Sequence, residues 1–86
     1  MTFLWTPRFK KAYHDLPLEA QSAVDTHLQL LAQNWRHPSL QAKKLRGTRN
    51  VWSIRISRDL RLTFEPTRAV ILLRVVGHHD AALRSP

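Results

Sequence analysis

The 86-residue sequence has no cysteine, and this absence limits its chemistry. Without cysteine the chain forms no disulfide, offers no thiolate to a metal and has no thiol nucleophile, so nothing in it requires an oxidising compartment. No apolar run approaches the roughly 20 residues that span a bilayer, and the N-terminus reaches its first charges too early for a signal-peptide core. We therefore expect one domain, residues 1–86, of a cytoplasmic protein without membrane, metal or cofactor.

Acidic residues are also scarce, since six Asp and Glu stand against fourteen Lys and Arg, for a net charge of +8. The imbalance is concentrated in residues 41–86, which carry ten basic and three acidic residues. Ten of the fourteen basic residues are arginines, whose planar guanidinium group suits bidentate contacts with phosphate. Such a chain is typical of a polyanion binder, and a merely solvated basic surface is the alternative.

The first half of the sequence predicts a short strand and two helices. Residues 2–5 predict the strand, and Thr6 followed by Pro7 is typical of a helix start. Pro17 ends this first helix and opens a second, predicted over residues 17–34. The apolar stripe of the second helix, at helical spacing, consists of Ala20, Val24, Leu28, Leu31 and Trp35.

The second half changes to a period of two, which predicts strands. Four strands are predicted at residues 42–46, 51–57, 60–65 and 69–76. The last of them, AVILLRVV, is apolar on both faces apart from Arg74, which is typical of an interior strand. The sequence therefore predicts an α+β domain: a short N-terminal strand, a two-helix hairpin and an antiparallel four-stranded meander, with the helices packed on one sheet face.

The middle hairpin of this meander has a register that the sequence itself selects. A three-residue turn at 57–59 opposes the apolar residues in three pairs, Trp52 with Phe64, Ile54 with Leu62 and Ile56 with Leu60. All six then share the helix-covered face. The other face receives Arg55 opposite Arg61 and Ser53 opposite Thr63.

Arg55 and Arg61 are like charges directly across two strands, with Cβ atoms about 5 Å apart, which destabilises a sheet unless something compensates. Two guanidinium groups can hold a phosphate between them. In the alternative, the two side chains splay apart over the sheet or pair with Asp59 and Glu65. We regard the arginine pair as the centre of a candidate anion site.

Other basic residues extend this candidate site. Lys43 and Lys44 are adjacent on one strand and point to opposite faces, so one of them joins the arginines, and the sequence does not decide which. Arg74 joins them if the residues on the other face of its strand point to the helices. Those residues are Ile71, Leu73 and Val75. The candidate RNA-binding residues are Lys43, Lys44, Arg46, Arg49, Arg74 and His78.

The last predicted strand leads into Gly77 and the run His78, His79, Asp80. Imidazole is the side chain best suited to proton transfer near neutral pH. Beside fixed cations it suits metal-free RNA cleavage, in which the ribose 2′-OH is deprotonated and attacks the adjacent phosphate while arginines stabilise the added negative charge. Two alternatives are a zinc site of His78, His79 and Asp80, with or without His37, and an ordinary polar tail.

Four stretches of the sequence carry a family resemblance. They are Lys44-Leu45-x-Gly47, the strand Trp52-Ser53-Ile54-Arg55-Ile56, the strand Leu60-Arg61-Leu62 with Phe64, and the ending Val76-Gly77-x-His79. With the two N-terminal helices they resemble the RelE/ParE superfamily of bacterial type II toxins over essentially the whole chain. The RelE and YafQ branches of this superfamily cleave mRNA, generally in the ribosomal A site, and are silenced by a cognate antitoxin.

This resemblance implies a toxin of a type II toxin–antitoxin system that acts as an mRNA endoribonuclease and arrests translation, with mRNA, the ribosome and an antitoxin as partners. It implies that Arg61 binds and stabilises the scissile phosphate, that Arg55 is at a basic strand position and that His79 is at a catalytic histidine position. Two features differ from the branch pattern. Ser53 stands where RelE has a second basic residue, and no aromatic residue follows Phe64.

Two other functions are compatible with this sequence. The segment ILLRVVGHHD also resembles the ending of ParE toxins, which have a similar fold and inhibit DNA gyrase without nuclease chemistry. A non-catalytic nucleic-acid-binding module would use the cationic face but would not need His79. The arginine pair together with His79 favours the nuclease.

Overall fold

The computed structural model describes residues 2–86, which form a five-stranded sheet and three helices. The strands are β1 (Thr2–Trp5), β2 (Lys43–Lys44), β3 (Trp52–Arg55), β4 (Leu60–Pro66) and β5 (Val70–His78). The helices are α1 (Pro7–His14), α2 (Leu18–Gln33) and α3 (His79–Arg84), with a 3₁₀ turn at Pro38–Leu40. None of the helices formed by residues 2–86 is long and apolar enough to cross a membrane.

The strand order within the sheet is β1-β5-β4-β3-β2. Strands β2 to β5 form an antiparallel meander, which confirms the predicted arrangement. Strand β1 lies at the far edge, parallel to β5, so β5 is an interior strand, as its apolar composition predicted. A parallel pair needs a long connection between its strands, and here the helices and the rest of the meander supply it.

The start of α1 is fixed by one threonine hydroxyl. Thr6 Oγ1 accepts a hydrogen bond from the N–H of Phe9 at 3.2 Å and donates one to the carbonyl oxygen of Leu73 at 2.7 Å. Pro7 occupies the first helical position, where its missing N–H costs nothing. The same side chain therefore caps the helix and ties it to β5, which sets where the helical hairpin leaves the sheet.

The core lies between the helical hairpin and one face of the sheet. It consists of Phe9, Val24, Leu28, Leu31, Leu40, Ile54, Ile56, Leu62, Phe64, Ile71, Leu73 and Val76. Three residues of the predicted stripe of α2 are in this cluster, whereas Ala20 and Trp35 stay partly exposed at its ends. The predicted register placed six apolar residues on the helix-covered face. All six contribute to this core, with Trp52 and Leu60 at its rim.

Replacing Leu62 with alanine is expected to lower the free energy of unfolding by about 2–5 kcal/mol, the usual cost of a cavity in a packed core. Leu62 is fully buried and is paired with Ile54 on β3 and with Val76 on β5. Denaturant unfolding measures the loss. The control is Leu4→Ala on edge strand β1, where the leucine is 53% exposed and a change within about 0.5 kcal/mol is expected. Equal losses at the two positions would contradict this core.

A bulge interrupts the ladder between β4 and β5. Val75 lies opposite Thr63, and Leu73 lies opposite the next residue of β4, so Arg74 is an extra residue without a partner. The condition that Ile71, Leu73 and Val75 all face the helices is not met, because the extra residue reverses the alternation and Val75 faces away from them. Val76 enters the core in its place.

Residues 79–84 form helix α3 instead of an extended tail, and this helix packs on β4 and β5. Thr63, on the face opposite the core, is fully buried and donates a hydrogen bond to the main-chain oxygen of Pro86 at 3.1 Å. Arg74 Nε donates to the same oxygen at 3.0 Å. Helix α3 and the two residues after it therefore cover the middle of the second sheet face and leave its β2–β3 side open.

Candidate functional site

The predicted pairing of Arg55 with Arg61 is confirmed by the strand register. Arg55 is opposite Arg61 and Ser53 is opposite Thr63, and the N–H of Ile56 donates to the carbonyl of Leu60 at 3.0 Å at the turn. Directly opposed side chains in a sheet point to the same side. Both guanidinium groups therefore leave the surface that faces away from the helical hairpin.

The carbonyl groups of the β3–β4 turn orient these two guanidinium groups. Arg55 Nε donates to the Ser57 oxygen at 3.3 Å, and Arg61 Nη1 donates to the same oxygen at 3.1 Å. Arg61 Nη1 also donates to the Leu60 oxygen at 3.1 Å. These bonds hold the side chains near each other, but neutral carbonyls do not cancel two positive charges.

Neither carboxylate that the sequence offered as a partner neutralises the arginine pair. Glu65 accepts instead from Arg74 Nη1, at 3.2 Å. Asp59 contributes its main-chain oxygen, which accepts from the N–H of His79 at 2.8 Å. Within residues 2–86, no carboxylate forms a salt bridge with Arg55 or Arg61. The pair therefore keeps its charge for an external anion.

The arginine pair opens into a cavity of about 150 Å³, called here the arginine cavity. Its lining consists of Gln41, Lys43, Ser53, Arg55 and Arg61. Lys43 is opposite Ser53 whereas Lys44 is opposite Trp52, so Lys43 is the lysine on the arginine face. Three cations, a hydroxyl and an amide are the donors that phosphate oxygens prefer.

Five of the six candidate RNA-binding residues do not line the arginine cavity: Lys44, Arg46, Arg49, Arg74 and His78. Arg46 and Arg49 are exposed in the loop between β2 and β3. Arg74 lies on the same sheet face but is held by Glu65 and by the main-chain oxygen of Pro86. It does not join the arginine pair, because the bulge and the C-terminal residues separate it from the open side of the face. A role for these five residues in RNA binding remains a prediction.

His79 stands at the end of β5, beside the β3–β4 turn. Its N–H donates to the main-chain oxygen of Asp59. His79 comes two residues after Gly77, which is paired with Arg61 in the sheet. Two steps along a strand are about 7 Å. The imidazole Nε2 lies 2.9 Å from Asp80 Oδ1, and the ring does not line the arginine cavity. The backbone thus brings His79 to the border of the site, while its ring is turned to Asp80.

The zinc alternative has a geometric basis in this structure. The ligand atoms of His78, His79 and Asp80 all lie within 4.8 Å of one another. His37 is not in this group, and its Nδ1 accepts a hydrogen bond from the N–H of Ser39 at 3.1 Å. Zinc binds such ligands at about 2.0–2.2 Å, so these three side chains would need only small movements to reach one ion.

Gln41 lines the arginine cavity and was not singled out by the sequence analysis. It follows the 3₁₀ turn and has a φ of 47°, in the left-handed region that residues other than glycine rarely adopt. Such conformations cluster at functional sites. No periodic pattern marks this position, because Gln41 lies in the connection between the 3₁₀ turn and β2.

Solved structures show what the chain is similar to, whereas no protein-family model and no curated protein sequence matches it. It is similar to a YoeB/ParE toxin from Agrobacterium tumefaciens, with a TM-score of 0.81 at 14% identity, covering 92% of this chain and 99% of that one. It is similar to a chain of the intact E. coli RelBE toxin-antitoxin complex, with a TM-score of 0.75 at 20% identity over 90% and 94%. It is similar to YafQ from E. coli strain BL21(DE3), with a TM-score of 0.75 at 16% identity over 92% and 93%.

These similarities define the class of fold, since all three extend over nine-tenths of the chain at low identity. The chain has the α+β fold of these YoeB/ParE, RelE and YafQ toxin structures. The predicted resemblance is thus confirmed at the level of the fold, and the arginine cavity is on the sheet face opposite its helical hairpin.

Proposed function

We propose that this chain is the toxin of a type II toxin–antitoxin system and that it arrests translation by cleaving mRNA, in association with the ribosome, as a metal-independent endoribonuclease. The observation that carries the proposal is the arginine pair. Arg55 and Arg61 are side by side on one sheet face with Lys43, and no carboxylate in residues 2–86 forms a salt bridge with either arginine. This arrangement occurs on a fold that RNA-cleaving toxins share.

The arginine cavity supplies the binding part of the mechanism. A phosphate in it receives hydrogen bonds from Arg55, Arg61 and Lys43. The sheet and the Ser57 carbonyl hold the arginines in place before substrate arrives. Donors fixed in advance stabilise the extra negative charge of the pentavalent transition state without reorganising during the reaction.

His79 supplies the proton transfer. It removes the proton of the 2′-OH, the 2′-oxygen forms a bond to phosphorus, and the bond from phosphorus to the 5′-oxygen breaks as that oxygen takes up a proton from water. The products are a 2′,3′-cyclic phosphate and a 5′-hydroxyl end. To act, the imidazole turns from Asp80 to within about 2.6–3.2 Å of the substrate hydroxyl, a tightening that is common when substrate binds. DNA lacks the 2′-OH and is not cut by this route.

A cognate antitoxin is the proposed protein partner. RelE was solved in complex with RelB, and YafQ in complex with DinJ. This chain carries a net charge of +8, and we expect an acidic or amphipathic antitoxin segment to lie against its basic sheet face or its helices. Co-purification with the product of the neighbouring reading frame tests this partnership.

Gyrase inhibition of the ParE kind is the second candidate function. It is favoured by the orientation of His79, whose ring contacts Asp80 and does not line the arginine cavity. A ParE-like toxin would need neither proton transfer nor a phosphate site. The arginine pair without a carboxylate partner favours the nuclease, because gyrase inhibition gives no reason for it.

Induced expression of this chain is expected to stop translation promptly and to leave cut mRNA. Pulse labelling of protein synthesis and mapping of mRNA 5′ ends measure both effects, and reporters of DNA damage stay silent. The control is the double variant Arg55→Ala/Arg61→Ala, which removes the pair from an exposed face and keeps the core. A DNA-damage response with intact mRNA would contradict the proposal and favour the gyrase alternative.

A further inference from the structure

A second cavity, of about 370 Å³, adjoins the arginine cavity at Gln41, which lines both. Its walls include the indole rings of Trp35 and Trp52, whose centroids are 4.9 Å apart in an edge-to-face contact. Both tryptophans are partly exposed, although the indole ring is among the largest apolar surfaces a protein can bury. This tryptophan cavity therefore offers an aromatic surface directly beside the candidate phosphate site.

The charge around the tryptophan cavity indicates what kind of group it accepts. The Arg36 guanidinium carbon lies 4.8 Å from the centroid of the Trp35 ring, so a planar cation is stacked on an aromatic ring. Lys44 is opposite Trp52 on the neighbouring strand, and no acidic residue lines the cavity. A flat aromatic group with a negative charge next to it complements this lining. An RNA base with its phosphate is such a group, and bases stack on aromatic rings and on guanidinium planes alike.

Gln41 connects the two cavities across the edge of the sheet. Lys43, two residues later, lines the arginine cavity, while Lys44 and Trp52 lie on the opposite face. A single strand of RNA that crosses β2 at this edge would place one phosphate in the arginine cavity and a neighbouring base beside Trp35. The Gln41 amide carries both a donor and acceptors and can pair with the edge of that base.

We infer that the tryptophan cavity is a nucleobase subsite, which binds the base of a nucleotide adjacent to the scissile phosphate by stacking on the Arg36 guanidinium that lies over Trp35. The inference rests on the proposed cleavage of RNA and deepens it. The sequence has no aromatic residue after Phe64 that could stack on a substrate base. The tryptophan cavity would provide this stacking group, on the opposite side of the arginine pair.

The test uses a single-stranded 2′-O-methyl RNA oligonucleotide, which binds but is not cut, and a series of the same oligonucleotide with one abasic position each. With the unaltered protein, one abasic position is expected to weaken binding by about tenfold, within the range for loss of one stacked base. Arg36→Ala is expected to weaken binding of the intact oligonucleotide and to abolish the penalty at that position. The control Arg46→Ala, an exposed arginine outside both cavities, should weaken binding of the whole series equally.

Tryptophan fluorescence gives a second readout that does not depend on the stability of the Arg36 variant. The oligonucleotide is expected to quench the fluorescence of the unaltered protein, and less so in Trp35→Phe, which keeps an aromatic ring in place. Equal binding of all abasic oligonucleotides, or quenching only by an antitoxin, would overturn the subsite and leave RNA binding intact. Absence of any oligonucleotide binding, both free and in the presence of ribosomes, would overturn the proposed function as well, so the two failures are distinguishable.

Discussion

Arg61→Ala is expected to lower RNA cleavage by about 10²- to 10³-fold, the scale for losing one fixed donor to a transition-state anion. The Arg61 guanidinium is partly buried and is held by the Ser57 and Leu60 carbonyls, so its position is set before substrate binds. Binding is also expected to weaken, because the phosphate contact exists in the ground state. Single-turnover cleavage of a labelled RNA, with the Kd of an uncleavable analogue, separates the two effects.

Two variants serve as controls for Arg61→Ala. Arg61→Lys keeps the charge but loses the planar fork, so an intermediate cleavage rate is expected. Arg68→Ala removes an exposed arginine between β4 and β5, outside the arginine cavity, and should leave cleavage unchanged. Full cleavage and full toxicity of Arg61→Ala would show that the arginine pair is structural only.

His79→Ala is expected to lower the cleavage rate by about 10²-fold or more, the usual effect of losing a general acid or base. The fold should survive, because the imidazole is partly exposed and its hydrogen bond is to the exposed Asp80. The Kd of an uncleavable RNA should change little, so the loss falls on kcat. The measurement is single-turnover cleavage, with the Kd of the uncleavable RNA determined for the same variant.

His78→Ala is the matched control, since His78 precedes His79 and is more exposed. It is expected to keep kcat, with at most a modest loss of RNA binding. Equal losses of cleavage in the two histidine variants, together with loss of activity in a chelator and its return with zinc, would contradict the metal-free mechanism. The group of His78, His79 and Asp80 would then act as a metal site.

The arginine pair could be predicted because it depends on a local rule. Side chains alternate along a strand, and the turn at 57–59 is the one that keeps Ile54 and Leu62 on the same face as the other apolar residues of the hairpin. A slip of one residue would move the apolar side chains of one strand to the face away from the helices and mix the two faces of the hairpin. The register was therefore selected by the hydrophobic effect acting over thirteen consecutive residues, 52–64, and the structure reproduces it.

The bulge in β5 could not be predicted in the same way. The run AVILLRVV is apolar on both faces, so its pattern carries no alternation that would reveal an extra residue. The bulge became visible only when β5 was paired with β4, and it moved Val75 off the core face and Arg74 away from the arginine pair. Helix α3 was missed for a related reason, because six residues are too few to show a helical period.

By itself, the sequence determined the order of the first strand, the two helices and the four-stranded meander, the buried faces of α2 and of the β3–β4 hairpin, and the gathering of Arg55 and Arg61 on one surface. These features follow from periods and turns that involve neighbours along the chain. Only the tertiary structure decided that Lys43 is the lysine on that surface, that no carboxylate in residues 2–86 forms a salt bridge with the pair, and that Gln41 joins two cavities. Those features depend on which distant segments pack together. Packing of distant segments reflects burial, strand pairing and backbone strain over the whole chain, so it is defined only when the whole chain has folded.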